Sequence, residues 1–290
     1  MSLGKPPAWL VVSDLDGCLL DARTYEYDDA RPALAALTAA GWPLVLCSGK
    51  TRAEMEPLAR RLELRHPFIV ENGGGIVFPS GSFEGDLPGA AEVEGARLLD
   101  LGPPRASLVR ALEGIAREAG VKVRGFADLR PIDVQALTGL SEPAARLALD
   151  RHYDEPFVVE DDAASDGLAR AAESRGLVVT HGGRFHHLMG GSDKGLAVRT
   201  LLALHERAGR FYAAVGLGDA ETDLSLLRAV SRPIVVPHPD GNVDLALAAS
   251  LPEAERAPHP GPAGWNAAIL AVLEGRTLPR LREAAAGVAP

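Results

Sequence analysis

The feature that most constrains this chain is an alternation of short apolar strands and helices in which each strand runs directly into a polar cluster. Residues 9–12 lead into Ser13-Asp14, and residues 43–47 lead into Ser48-Gly49, with a predicted helix at residues 30–40 between them. Strands that alternate with helices predict a parallel sheet, and ligands bind such sheets beyond the carboxyl ends of the strands. We therefore predict an α/β fold with a doubly wound, Rossmann-like parallel-sheet core and a site at that edge.

The alternation continues for one more strand and then breaks. Residues 68–70 are predicted to be a third strand of the parallel sheet, and residues 80–105, which are rich in Gly, Glu and Pro, are predicted to be loop and domain boundary. Residues 105–187 then mix strands with alanine-rich helices, and the first pattern resumes at Lys194. The break indicates an insertion of a different structural class.

These changes predict two domains. The core is expected to consist of residues 1–83 and 189–290, and an inserted α+β cap that selects the substrate is expected at residues 84–188. The chain has 290 residues, of which 47% are hydrophobic, and this is enough to bury two such cores.

Charge and cysteine content exclude several classes of partner. A net charge of −9 argues against nucleic acid or an anionic membrane, and no apolar stretch approaches the roughly 18 residues of a membrane span. Cys18 and Cys47 lie in apolar runs and are predicted to be reduced core thiols, which fits a cytoplasmic location. A homodimer is left open.

Asp14-Leu15-Asp16-Gly17 is the first of four polar motifs. Asp14 can attack phosphorus to form an aspartyl-phosphate, and Asp16 can protonate the departing oxygen and later deprotonate water. The alternatives are solvated loop acids or a calcium loop, and the latter is disfavoured because Cys18 stands where an oxygen ligand is needed.

The second and third motifs are predicted to hold a phosphoryl group. Ser48 and Gly49 precede a helix that is predicted at residues 51–62 and can cradle an anion, whereas a Walker A loop would require glycine in place of Leu44. Lys194 opens a later helix after Ser192, a position where the helix dipole disfavours a cation unless it serves a function. The alternative for Lys194 is an exposed lysine. Gly49 and Ser192 are predicted to contact the substrate.

The fourth motif, Gly216 to Asp223, places Asp219 and Asp223 after another strand. Together with Asp14 and Asp16 they are predicted to hold Mg²⁺, which binds a few carboxylates in octahedral geometry. The alternative is an N-cap made by Asp219, with Asp223 solvated.

The order and spacing of the four motifs resemble the haloacid dehalogenase superfamily over the whole chain, except that Thr222 stands where asparagine is frequent. The resemblance implies a Mg²⁺-dependent phosphomonoesterase that works through an aspartyl-phosphate on Asp14, with Asp16, Ser48 and Lys194 as further catalytic residues. It also implies an α/β cap.

Four segments of the predicted cap carry a closer resemblance: residues 125–128, 136–140, 153–157 and 183–188. Within that superfamily, they resemble the mannosyl-3-phosphoglycerate phosphatase family. This resemblance implies hydrolysis of a phosphorylated sugar-glycerate, mannosyl-3-phosphoglycerate, to the compatible solute mannosylglycerate.

Four polar residues, three in these cap segments and one on the core side, are candidates for contacting the substrate. Arg184 suits a carboxylate, Glu155 can accept bonds from sugar hydroxyls, and Asn72 follows the third strand. His187 is the fourth, because it and His186 point to opposite faces of a strand and one of them can bind substrate.

Other interpretations remain open at this stage. Glu155 and Arg184 could form a surface salt bridge, and His181, His186 and His187 could bind zinc, although their spacing is irregular. At the level of function, a phosphomutase of the same superfamily and a non-catalytic binding module are the competing hypotheses.

Overall fold

The computed structural model describes residues 8–160, 165–182 and 185–282. The described chain packs as two compact units. The first unit contains the described residues of 1–48, 83–87 and 194–290, and the second contains those of 49–82 and 88–193.

Short strands and helices of one to four turns make up both units. The strands are β1 (Ala8–Ser13), β2 (Leu44–Leu46), β3 (Phe68–Val70), β4 (Gly75–Pro79), β5 (Ala91–Val93), β6 (Ala96–Asp100), β7 (Val123–Gly125), β8 (Asp154–Val159), β9 (Val178–Gly182), β10 (Phe185–Met189), β11 (Tyr212–Gly218), β12 (Arg232–Val235) and β13 (Glu255–Arg256). The helices are α1 (Arg31–Ala40), α2 (Arg52–Arg61), α3 (Arg105–Ala119), α4 (Pro131–Thr138), α5 (Glu142–Leu149), α6 (Ser165–Glu173), α7 (Lys194–Arg207), α8 (Leu224–Arg228), α9 (Leu245–Ser250) and α10 (Gly261–Leu273).

The first unit is built on a five-stranded sheet in the order β13-β12-β11-β1-β2, and every neighbouring pair is parallel. Leu10, Val11 and Val12 of β1 are completely buried, as expected for a central strand that is covered on both faces. Ser13 pairs with Leu217 of β11 and with Leu46 of β2, so three strands end at the same level. This confirms the predicted α/β core and its common carboxyl edge.

The second unit contains two four-stranded antiparallel sheets, β3-β4-β6-β5 and β7-β8-β10-β9. Helices α3 and α6 pack on one face of the latter sheet. Their contact with it is a cluster of buried apolar side chains that includes Leu108, Leu112, Phe157, Leu168 and Leu188. Odd-numbered residues of β8 therefore face these helices, and even-numbered residues face away.

Two sequence predictions were wrong in this unit. β3 pairs antiparallel with β4 and is not part of the parallel sheet, because a tight turn closed by Gly74 N–H and Glu71 O (3.0 Å) joins them directly. The predicted loop at 80–105 contains the β5–β6 hairpin, whose two turn residues, Glu94 and Gly95, have left-handed φ angles of 51° and 79°.

Residues 49–82 pack with the inserted segment, although the sequence assigns them to the core domain. The predicted domain boundaries stay a prediction, because packing alone does not show which segments fold together. Cys18 and Cys47 are buried thiols, as predicted. No helix within the described ranges is long and apolar enough to cross a membrane.

Candidate active site

Three carboxylates converge at the carboxyl edge of the parallel sheet. Asp14 follows β1 and its N–H donates to Leu217 O at 2.9 Å, so the ends of β1 and β11 lie side by side. Asp14, Asp219 and Asp223 each place one carboxylate oxygen within 4.8 Å of the others. The predicted meeting of the first and fourth motifs is confirmed.

Lys194 lies inside this group of acids. Its ammonium donates to Asp14 Oδ1 at 2.7 Å and to Asp223 Oδ1 at 2.6 Å, and the residue is only 3% exposed. The two carboxylates offset the repulsion that a cation experiences in the first turn of α7. Burial with these partners excludes the alternative of an exposed lysine.

Asp223 has two roles in the loop after β11. While Oδ1 binds Lys194, Oδ2 accepts from the backbone N–H groups of Asp219 at 3.0 Å and Ala220 at 3.3 Å. The alternative, an N-cap by Asp219 with Asp223 in solvent, is therefore wrong, because the residue that binds the backbone is the buried Asp223.

Two glycines allow the carboxylates to lie close to the backbone and to one another. Gly17 has a φ of 82°, and a Cβ on it would lie 2.3 Å from Asp219 Oδ2. A Cβ on Gly218 would lie 2.5 Å from Asp223 Cβ. No real Cβ tolerates such distances, so a larger residue at either position would push the carboxylates apart.

The carboxylates of this group outnumber its one cationic side chain. Burial, with the charge of Asp223, raises the pKa of Asp14 to about 7, although Lys194 lowers it. Burial, with the charges of Asp14 and Asp223, raises the pKa of Asp219 to about 9. Three carboxylates that share one lysine are thus short of positive charge.

A hard divalent cation fits this donor set, which consists of a few carboxylate oxygens close together. The three residues whose side chains could hold it are Asp14, Asp219 and Asp223. The Asp16 side chain lies outside this group of three, so its predicted part in metal binding stays a prediction.

Two side chains from elsewhere in the first unit hold the strand ends in place. Trp265 of α10 donates from Nε1 to Ser13 Oγ at 2.8 Å, and Ser13 Oγ donates to the Asp14 carbonyl at 2.6 Å. The His238 Nε2 atom lies 2.9 Å from the Asp219 carbonyl oxygen. Sequence reasoning missed Trp265 and His238, because the contact between Trp265 and Ser13 spans 252 residues and leaves no local pattern.

Ser48 is buried just beyond β2. Because Cys47 N–H donates to Ser13 O at 2.8 Å, Ser48 follows β2 at the edge where Asp14 follows β1. The predicted helix start is confirmed at Thr51, which caps α2. Its Oγ1 accepts from Glu54 N–H at 3.2 Å, and Glu54 Oε2 accepts from Thr51 N–H at 2.9 Å.

Comparisons with known proteins agree with this geometry. A model of the haloacid dehalogenase-like hydrolases matches residues 11–84. A glucosyl-3-phosphoglycerate/mannosyl-3-phosphoglycerate phosphatase from Methanococcoides burtonii is 40% identical over 265 residues, which are 91% of this chain and 97% of the relative. The chain belongs to the haloacid dehalogenase-like hydrolases.

One further relative supports this assignment, and one solved structure shows the same fold. A mannosyl-3-phosphoglycerate phosphatase from Pyrococcus horikoshii is 31% identical over 78% of this chain and 90% of its own length. The solved structure of a haloacid dehalogenase-like hydrolase from Bacteroides thetaiotaomicron superimposes with a TM-score of 0.61 at 18% identity, covering 92% of this chain and 99% of the other. This family member is a phosphatase, which excludes the non-catalytic binding module.

In the second unit of this hydrolase, one buried carboxylate connects two of the predicted substrate contacts. Asp154 Oδ2 lies 2.7 Å from His187 Nδ1, 2.9 Å from Arg151 Nη2 and 3.5 Å from Asn72 Nδ2. Arg151 Nη2 also donates to the Gly49 carbonyl at 2.7 Å. Asn72, His187 and Gly49 thus lie around Asp154 and Arg151, two residues that were not among the predicted contacts.

The three histidines occupy different faces, as the alternation along β10 predicts. The His186 ring stacks on Phe157 with centroids 5.4 Å apart and lies against His181 at 4.8 Å, on the face that α3 and α6 cover. His187 points to the other face, toward Asp154. Within the described ranges, the three histidines do not come together as a group of metal ligands, which argues against the zinc alternative.

Glu155 points toward the helices. It is completely buried, with Oε2 accepting from Arg105 Nε at 2.6 Å and Oε1 accepting from Ala127 N–H at 2.7 Å. Burial raises the pKa of Glu155 in spite of these bonds. The alternative of a surface salt bridge is wrong for Glu155, and its predicted contact with sugar hydroxyls stays a prediction. Arg184 lies outside the described residues.

Glu71 is a further residue that the sequence analysis missed. It is 1% exposed, and its carboxylate accepts from the backbone N–H groups of His152 (2.8 Å), Tyr153 (2.8 Å) and Asp154 (3.0 Å). Burial raises its pKa. Both Glu71 and Asn72 have left-handed φ angles, 48° and 55°. This strained turn places Glu71 where it holds the beginning of β8. Ser192 is buried, two residues before α7.

Proposed function

We propose that this phosphatase hydrolyses mannosyl-3-phosphoglycerate, and its glucosyl counterpart, to the glycosylglycerate and inorganic phosphate. The observation that carries the proposal is the buried Asp14 carboxylate held by Lys194 within a group of acids, in a chain 40% identical to a phosphatase named for these two substrates. The product of such a reaction is a compatible solute.

In the first chemical step, a carboxylate oxygen of Asp14 attacks phosphorus and the bond from phosphorus to the glycerate oxygen breaks. Asp16 donates a proton to that departing oxygen, which leaves as a hydroxyl group. Lys194, already bound to Asp14 Oδ1, supplies positive charge beside the phosphoryl group.

In the second step, Asp16 takes a proton from water as the water oxygen attacks the phosphoaspartate. The bond from phosphorus to the Asp14 oxygen breaks, and phosphate and the free carboxylate are restored. Ser48, at the end of β2, is expected to donate a hydrogen bond to a phosphoryl oxygen.

The cation predicted here is Mg²⁺, held by side chains of Asp14, Asp219 and Asp223. When bound, it neutralises charge on the phosphoryl oxygens. Its chemistry fits the shortage of positive charge in this group of acids, as the raised pKa values of Asp14 and Asp219 indicate.

We assign recognition of the part of the substrate that is not phosphate to residues of the second unit. Asn72 and His187 have the strongest support, because the same Asp154 oxygen binds both side chains. The predicted contacts through Gly49, Ser192 and Arg184 belong to the same proposal. Glu155 has both carboxylate oxygens engaged inside the protein, so it would need to release Arg105 or Ala127 to bind a hydroxyl.

A ³¹P NMR time course with each glycosyl-3-phosphoglycerate and Mg²⁺ tests the proposal. We expect the ester signal to be replaced by that of inorganic phosphate. Transfer of the phosphoryl group to another position without release of phosphate would instead identify a phosphomutase. Release of phosphate from p-nitrophenyl phosphate, but from neither glycosyl compound, would overturn the proposed substrate while leaving the phosphatase intact.

A further inference from the structure

The carboxylate of Asp154 is the centre of the polar network in the second unit. The residue is completely buried, and its Oδ2 is within hydrogen-bonding distance of His187, Arg151 and Asn72. Burial alone would raise the pKa of Asp154, but the charges and hydrogen bonds of His187 and Arg151 outweigh it and hold the pKa below its ordinary value. Asp154 is therefore an ionised acceptor.

An ionised carboxylate can only accept hydrogen bonds, so it determines which ring nitrogen of His187 carries a proton. At 2.7 Å from Asp154 Oδ2, Nδ1 must donate. Nε2 is then the ring nitrogen left for a ligand, and it has no hydrogen-bond partner among the residues that the structure describes. The His187 side chain keeps 15% of its surface exposed, so a small polar group can reach it.

Hydrogen bonds to Glu71 and Arg151 fix the position of Asp154. Glu71 accepts from the Asp154 backbone N–H at 3.0 Å and from the two preceding N–H groups. Arg151 connects Asp154 to the Gly49 carbonyl. A side chain anchored this way cannot follow a displaced ring, so the ring must adopt the orientation that Asp154 imposes.

The contrast between Asp154 and the next residue, Glu155, supports a specific role for Asp154. Glu155 is an equally buried carboxylate, but it faces α3 and α6 and binds Arg105 and a backbone N–H. Its partners are not predicted to touch substrate, whereas two of the three side chains that bind Asp154 are.

We propose that Asp154 is a positioning residue. It acts through His187 and Asn72 and thereby determines how tightly the enzyme binds the hydroxyl and carboxylate groups of a glycosylglycerate. This inference rests on the proposed function for the identity of those groups. The positioning of His187 does not depend on any substrate.

The first experiment measures the tautomer of His187 by ¹⁵N NMR of the full chain, at a pH where the ring is neutral, with the signal assigned by its loss in His187→Gln. We expect Nδ1 to be protonated in the wild type and the signal to move toward the Nε2-protonated form in Asp154→Asn. An unchanged His187 tautomer in Asp154→Asn would overturn the proposal.

The second experiment compares kcat/KM for mannosyl-3-phosphoglycerate and p-nitrophenyl phosphate. Asp154→Asn should lower kcat/KM for mannosyl-3-phosphoglycerate by about 10-fold or more, through KM, because it removes a charge-assisted hydrogen bond. It should change kcat/KM for p-nitrophenyl phosphate by less than about 2-fold. In a His187→Ala background the same substitution should cost much less, because the residue it acts through is gone. Glu118→Gln, which breaks the Arg175 ion pair of the same unit, is the control and should leave both values unchanged.

Parallel losses on both substrates, or full additivity with His187→Ala, would identify Asp154 as merely structural and overturn the proposal. Should Asp154→Asn fail to fold, Asp154→Glu keeps the charge and displaces it by one methylene, and the displacement should lower kcat/KM for mannosyl-3-phosphoglycerate through KM while leaving that for p-nitrophenyl phosphate within about 2-fold. A wild type that hydrolyses no glycosyl-3-phosphoglycerate would overturn the proposed function, whereas the tautomer measurement would still decide the positioning of His187.

Discussion

The two units each bury a group of carboxylates, but they balance the charge in opposite ways. In the first unit, Asp14, Asp219 and Asp223 share Lys194, and burial with mutual repulsion raises the pKa of Asp14 to about 7 and that of Asp219 to about 9. In the second unit the equally buried Asp154 has a lowered pKa, because His187 and Arg151 outweigh burial.

The difference shows that burial alone does not make a reactive site. Where donors in the protein satisfy a carboxylate, as His187 and Arg151 do for Asp154, the carboxylate is a rigid support. Where carboxylates outnumber their donors, the group can accept a cation and a phosphoryl group from outside. Variants in the two groups should therefore fail in different ways.

The largest effect is expected from Asp14→Asn. An amide is a poor nucleophile at phosphorus, so turnover should fall by roughly 10⁴-fold or more while the circular dichroism spectrum stays that of the wild type. Phosphate release is the measurement. Asp28→Asn, which affects an exposed pair with Arg31, is the control and should retain full activity. Activity of Asp14→Asn near the wild-type level would refute the mechanism.

Asp16→Asn should show the next largest loss, and that loss should depend on the leaving group. Removing a general acid is expected to cost roughly 10²–10⁴-fold for an alkyl phosphate and much less for p-nitrophenyl phosphate, whose leaving group needs no proton. The ratio of kcat/KM for the two substrates is the readout. Equal losses on both would assign Asp16 another role.

Asp219→Ala tests the shortage of positive charge in the first unit. It removes one of three candidate ligands, so the Mg²⁺ concentration for half-maximal activity should rise by about 10-fold or more. The wild type should lose activity in EDTA and regain it on addition of Mg²⁺, and Ca²⁺ should inhibit because its bonds are longer. Full activity of the wild type in metal-free buffer would contradict the cation site.

Glu71→Ala is the matched test in the second unit, and its main effect should be on stability. It leaves three backbone N–H groups without their acceptor and removes a carboxylate that lies 3.8 Å from Arg151 Nε, so the free energy of unfolding should fall by about 2–4 kcal/mol in urea. The kcat for p-nitrophenyl phosphate, measured where the variant is folded, should stay close to the wild-type value. A fall in that kcat without loss of stability would place Glu71 in the chemistry.

Much of the first unit could be predicted from local sequence. Each strand there is a short apolar run bounded by polar residues, and parallel strands bring their ends together whatever the exact register. Asp14 and Asp219, which each follow such a strand, could therefore be placed at one edge without knowledge of the fold. The room that Gly17 and Gly218 leave for the neighbouring carboxylates was visible only in the structure.

The second unit was harder to predict, because its decisive contacts depend on which face of a strand is covered. The motif at residues 153–157 contains two adjacent acids, and the sequence analysis selected Glu155, whereas the structure connects Asp154 to His187 and Asn72. Alternation along β8 places the two acids on opposite faces, but only the packing of α3 and α6 against Phe157 shows which face is which.

The sequence by itself determined the elements of the core, the residue types of the site and their meeting at the ends of parallel strands, because burial periodicity and turn chemistry are local. Tertiary structure alone decided that β3 pairs with β4, that Trp265 holds Ser13, and that Asp154 holds His187. Each of these depends on a partner chosen by packing, and a chain position carries no local mark of the distant surface that will cover it.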